Sequence, residues 1–120
     1  MGCRSLVLAV FACAAFDAGA QDRMERLALE SGCTLCHAKW QADRSVAPPA
    51  PAWTDIAQRY AGQPGAEDAL VKAVMSGVPP GKRHWQERTG EVVMPRNAVE
   101  VSEDDARALV RWILQQGTPR

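Results

Sequence analysis

Apolar residues fall at helical spacing in four stretches of this chain, and glycine or proline marks the breaks between them. From Arg23 to Ser31, Met24, Leu27 and Ala28 share one face at i, i+3, i+4, which predicts a short amphipathic helix running into Gly32. Thr54 to Tyr60 repeats the pattern with Ile56, Ala57 and Tyr60 on one side and Gly62 to stop it. Ala66 to Ser76 turns Leu70, Val71, Val74 and Met75 inward, with Gly77 just past its end, where glycine caps well. The last stretch is the plainest. Ser102 is a good N-cap, Glu103, Asp104 and Asp105 load the positive end of the helix, and Ala106, Leu109, Val110, Trp112 and Ile113 form its apolar face. Gly117 closes it, and the same count turns Arg107 and Arg111 outward. No segment alternates as a strand does, so the fold class is all-α, with about four short helices. Asp43 to Pro51, rich in proline and alanine, and Val78 to Val101 are read as loops.

The chain begins differently. Arg4 precedes the apolar run Leu6 to Phe16, and Ala18-Gly19-Ala20 has the small-x-small pattern cut by signal peptidase, so residues 1–20 are read as a removed signal and 21–120 as one domain. The apolar run is well short of the ~20 residues that span a bilayer. A lipidated Cys13 is the weaker variant, because Val10-Phe11-Ala12 matches a lipoprotein box poorly. Export places the domain in the periplasm. The 14 basic and 14 acidic side chains balance to a formal charge of zero without long like-charge runs, which gives no footprint for nucleic acid or an acidic membrane surface.

Removal of the leader leaves two cysteines, Cys33 and Cys36, in the run Cys33-Thr34-Leu35-Cys36-His37. Cys-x-x-Cys-His is the attachment signature of c-type haem. Two thiols three residues apart on one turn can add to the two vinyl groups of one porphyrin, and the adjoining histidine then supplies the proximal ligand. A thioredoxin-like dithiol would need a strand–helix–strand setting, and a zinc site four ligands where only His84 remains. A structural disulfide would close a trivially short loop. Haem c, covalent and one per chain, is therefore the expected cofactor, enclosed by the first and last helices so that it forms much of the core.

Iron held by one histidine has a sixth position, and Met94, followed by the stiffening Pro95, is the leading candidate to fill it. A neutral thioether favours ferrous iron and raises the reduction potential relative to a second imidazole. Met24 and Met75 lie on helical apolar faces and are read as core. His84 sits in a polar loop and is read as a solvated residue. The four tryptophans, Trp40, Trp53, Trp85 and Trp112, allow an electron-hopping path as one reading, but core or haem packing is the better one, above all for Trp53 and Trp112, which have apolar neighbours at helical spacing. Lys82, Arg83, Arg88 and Arg96 make a loosely basic region around Met94, by default a solvated rim and more sharply a surface that would steer an acidic redox partner.

Taken together, Cys33-Thr34-Leu35-Cys36-His37-Ala38, the run Ala50-Pro51-Ala52-Trp53 through Gly62, Met94-Pro95-Arg96-Asn97 and Ser102-Glu103-Asp104-Asp105 through Leu114 resemble the class I cytochromes c of the short bacterial periplasmic monohaem kind, over about residues 24 to 116. The resemblance implies a small cytochrome c fold in which the carbonyl of Pro51 accepts the other ring proton of His37, Trp85 reaches a haem propionate through its indole N–H, and Asn97 sits beside the methionine ligand. Ala50 stands where the family usually has glycine, and residues 78–91 make a longer connection than its short members have. The implied function is one-electron transfer with no substrate bond made or broken, as a monomer or as the cytochrome subunit of a small redox complex, with transient partners among periplasmic or membrane-bound oxidoreductases. A ligand-binding or peroxidatic haem protein with a displaceable sixth ligand is the alternative. The position of the attachment motif weighs against it, since gas-binding helical cytochromes carry theirs near the C-terminus. An interaction module with a structural disulfide and no haem would make Met94-Pro95 a coincidence.

Overall fold

The computed structural model of the chain describes residues 10–37, 49–79, 84–90, 92–96 and 101–117, and for 10–17 the backbone alone. Every regular element among these residues is helical: α1 (Val10–Glu30), a 3-10 turn (Cys33–Leu35), α2 (Trp53–Tyr60), α3 (Ala66–Ser76), α4 (Gln86–Thr89) and α5 (Glu103–Gln115). The all-α expectation holds, with two corrections. The first helix is 21 residues long rather than a short one from Arg23, because the alanine-rich, proline-free stretch before it gives nothing to break the ladder. The connection from Val78 to Val101, expected to be loop throughout, contains the single turn α4. Most of the Asp43–Pro51 loop lies outside the described residues, as does Trp40. Among the described residues no helix is long and apolar enough to cross a membrane.

The ends of the helices follow their capping residues. The Ser102 hydroxyl accepts the Asp105 amide at 3.1 Å, which satisfies one of the orphan donors at the start of α5. At the end of α3, Gly77 adopts φ 74°, ψ 177° while its N–H reaches the Ala73 carbonyl at 2.8 Å. That region of backbone space is essentially reserved for glycine.

α5 is the hub, packing on α1, α2 and α3. Its Leu109 and Val110 are almost fully enclosed, among Met24 and Ala28 of α1, Trp53 and Ile56 of α2, and Val71 of α3. Trp112 meets Trp53 edge to face with ring centroids 4.8 Å apart, a geometry that suits the quadrupoles of two aromatic rings. Its indole N–H donates to the Gln21 Oε1 at 2.7 Å, so the buried ring keeps its polar atom paired. Met24 is buried and Met75 half-buried against the same core, in keeping with the packing roles read for them.

Arg107 departs from the outward position counted for it. Half-buried, it donates to Glu67 at 2.9 Å and Asp68 at 2.8 Å on α3 and to Glu103 on its own helix at 3.3 Å, while Arg111 holds the second Glu67 oxygen at 3.0 Å. The hydrogen bonds from Arg111 and then Arg107 hold the Glu67 carboxyl below the usual carboxylate range. The glutamate and aspartate that load the N-terminus of α3 thus also clamp it to α5.

Candidate haem-attachment site

α1 ends at Glu30, and Gly32, with a φ of 75°, turns the chain into the cysteine motif. The Leu35 N–H then reaches the Gly32 carbonyl at 3.1 Å, and the His37 N–H the Cys33 carbonyl at 2.9 Å. Residues three and four apart on one such turn share a side, so Cys36 and His37 both stand near Cys33. Both cysteines are free thiols. Cys33 packs half-buried against the core, and burial pushes its thiol up, partly offset by a backbone hydrogen bond; Cys36 is exposed.

The His37 ring is held from the far side of a loop. Its Nδ1 lies 2.8 Å from the carbonyl oxygen of Pro51. A carbonyl can only accept, so the proton is on Nδ1 and the Nε2 lone pair is left for a metal. Burial pushes the imidazole below its ordinary value, with the Pro51 bond acting in the other direction, which favours the neutral ring. Pro51 can offer its oxygen because α2 begins after it: the first acceptor inside that helix is Ala52, bonded by the amides of Asp55 and Ile56 at 3.0 and 3.1 Å.

Met94 is half-buried in the irregular segment 92–96. Its carbonyl accepts the Val78 N–H at 2.9 Å, which docks the segment on the end of α3. The approach is so close that a Cβ on Gly77 would stand 2.7 Å from the Arg96 nitrogen and 2.9 Å from the Met94 oxygen. Asn97 lies outside the described residues. Trp85 is half-buried against the core, with the guanidinium groups of Arg59 and Arg88 over its ring at 5.6 and 5.4 Å from the centroid. His84 is exposed, its ring edge to face with Tyr60 at 6.4 Å.

Two residues of this region carry roles that the sequence pattern hid. Asp55 reads as an ordinary acid in the first turn of α2, yet it is 6% exposed and bonded to Arg88 Nη2 at 2.7 Å. Arg88, expected in a solvated basic rim, is therefore a bound residue; Arg96 of that rim is exposed, and Lys82 and Arg83 lie outside the described residues. A cleft of about 540 Å³ lies elsewhere, between α2, α3 and α5, lined by Ala57, Tyr60, Glu67, Arg107 and Leu114. It holds no cysteine or histidine. Among the described residues no group of three or more histidine, cysteine, aspartate or glutamate side chains is placed to hold a metal ion.

Two free thiols and a neutral imidazole with its Nε2 uncommitted, all on one turn, fit a porphyrin joined by thioethers and an iron bound from one side. The class this defines is that of small helical proteins built around covalent haem. A family model described as Cytochrome c matches residues 22–117, and the chain belongs to the cytochrome c family, whose members carry covalently attached haem c and serve electron transport rather than enzymatic turnover. Cytochrome c-551 of Allochromatium vinosum is 43% identical over 88 residues, covering 73% of this chain and 80% of that one. Cytochrome c-551 of Pseudomonas aeruginosa is 37% identical over 92 residues, covering 77% and 75%. Among solved structures, cytochrome c552 of Nitrosomonas europaea is similar with a TM-score of 0.59 at 33% identity, over 77% of this chain and 98% of that one.

Proposed function

We propose that the mature chain, residues 21–120, is a periplasmic carrier of single electrons whose haem is joined through Cys33 and Cys36 and ligated by His37 and Met94. The observation that carries this reading is the 2.8 Å bond from His37 Nδ1 to the Pro51 carbonyl, which fixes the tautomer a metal ligand needs. Haem supplies a reversible one-electron couple when bound. The protein supplies the rest. Donation to Pro51 makes the imidazole a better electron donor, and the rigid α2 that follows Pro51 keeps the ring from turning. The thioether of Met94 is neutral and soft, which favours the ferrous state and raises the potential. Trp85, steadied by two guanidinium groups, offers an indole N–H to a haem propionate, and Asn97 a hydrogen bond near the Met94 sulfur. Removal of the leader after Ala20 frees the domain, and its partners are redox proteins met transiently, as a free carrier or as the cytochrome subunit of a dehydrogenase or oxidase.

The test is the visible spectrum of the protein exported with haem-maturation factors. Histidine–methionine ligation gives a sharp reduced α band, a weak far-red band in the ferric state and a ferrous spectrum indifferent to carbon monoxide. A shift with carbon monoxide would overturn it in favour of an open, ligand-binding site. A missing far-red band without that shift would mean that His84 has taken the place of Met94.

A further inference from the structure

The haem site as built so far makes no use of Asp55. A carboxylate withdrawn from water is costly unless a cation and hydrogen bonds compensate it. Asp55 lies on the first turn of α2, close behind Pro51, and the cation that meets it comes from far along the chain: Arg88 on α4, with Nη2 2.7 Å from Asp55 Oδ2. α4 is itself well seated. Thr89 is buried and its hydroxyl donates to the Trp85 carbonyl at 3.1 Å, and the Arg88 guanidinium lies over the Trp85 ring. Among the described residues, two polar contacts thus fasten the segment that presents Met94 to the helices. One is the Val78–Met94 backbone bond on the end of α3, the other the Asp55–Arg88 pair on α2.

We propose that the Asp55–Arg88 ion pair is a latch that holds the methionine-bearing segment closed, and so sets how fast Met94 yields the iron to a competing ligand. The inference rests on Met94 as axial ligand and goes beyond it, making Arg88 a positioning residue that never touches the iron. The two partners are unequal. Arg88→Gln takes from the buried Asp55 carboxylate the arginine that lies 2.7 Å away, which raises the cost of keeping that charge from water and so favours the lifted segment. Asp55→Asn leaves behind a guanidinium that is 36% exposed and already partly hydrated. Arg88→Lys restores the charge but not the planar fork or the stacking on Trp85.

The experiment follows imidazole displacing methionine from the ferric holoprotein, read as the loss of the far-red band at saturating imidazole, where opening of the segment limits the rate. Arg88→Gln is expected to speed the step ten-fold or more, Asp55→Asn less, the double variant no more than Arg88→Gln, and Arg88→Lys to recover part of the closure. Arg107→Gln, which breaks a larger ion-pair network between α3 and α5, should lower the melting temperature and leave the rate alone. Equal rates in wild type and Arg88→Gln would overturn the latch, as would equal acceleration by Arg107→Gln, since then only global stability is involved. Should Arg88→Gln fail to mature, Asp55→Asn and Arg88→Lys decide in the same way. A wild-type protein without the far-red band overturns Met94 ligation, and the latch with it, before any variant is compared.

Discussion

His37 is prepared for iron by the nitrogen that iron does not take. The bond from Nδ1 to Pro51 is made by a backbone carbonyl, so no side-chain substitution can remove the acceptor, whereas the proposed ligand on the other side is a side chain that mutation can delete. Met94→Ala should therefore lose the far-red band, bind carbon monoxide in the ferrous state and titrate at a lower potential; unchanged carbon monoxide binding would count against the assignment. Gln21 gives a second test at this scale. Its carbonyl is the acceptor for the buried Trp112 indole, so Gln21→Ala should cost about 1 kcal/mol in urea unfolding of the holoprotein, the usual penalty for a buried donor left without its partner. The cysteine motif could be read directly because its chemistry is local: five consecutive residues carry it. Asp55 and Arg88 could not, since each has an ordinary solvated role that the sequence equally allows, and only the path of the chain between them brings the charges together.

Where helices start and stop is a local matter too, and for α3 and the start of α5 the pattern of residues marks it. α3 runs from Ala66 to Ser76 as its apolar face and Gly77 indicate, and α5 starts after Ser102 because that hydroxyl caps it. α1 outran its expected start because amphipathic spacing reports only where a face is buried, and the exposed residues 18–20 continue the helix without adding to that face. α4 escaped notice because four residues are too few to show a period. The junction of α3 with the methionine segment yields the sharpest expectation at this scale. In Gly77→Ala a Cβ would need room already taken by the backbone at Met94, Pro95 and Arg96, and would force a residue with φ 74° into strain of about 1–3 kcal/mol. The segment must shift to relieve it. Lower thermal stability and a weakened far-red band are expected together; a variant that loses stability but keeps the band at full strength would show that the shift does not reach the sulfur.

Across the whole molecule, α5 collects the other helices, and its ionic link to α3 depends on pH with a definite sign. Glu67 has a folded-state value depressed by Arg111 and Arg107, so its contribution to stability is complete above the ordinary carboxylate range and is lost as pH falls through the depressed value. Glu67→Gln should flatten the acid limb of a plot of melting temperature against pH and change little near neutrality beyond a constant offset. Added salt should weaken the same link in the wild type. A steeper acid limb in the variant would refute the assignment. The general all-helical plan followed from apolar spacing, whereas Arg107 shows what spacing leaves out: it gives the angle around a helix but not which acids on a neighbouring helix lie within reach. The backbone bond between Val78 and Met94 has a further consequence, for evolution. Because the two ends of the intervening segment touch, its length can change while the methionine stays in place, and each doubling of a closed loop costs only about 0.6 kcal/mol. Insertions outside Trp85 and the seated α4 can accumulate there at little cost, which makes those stretches the natural place for lineages to vary the surface they show to different partners, and the first place to graft a new recognition sequence.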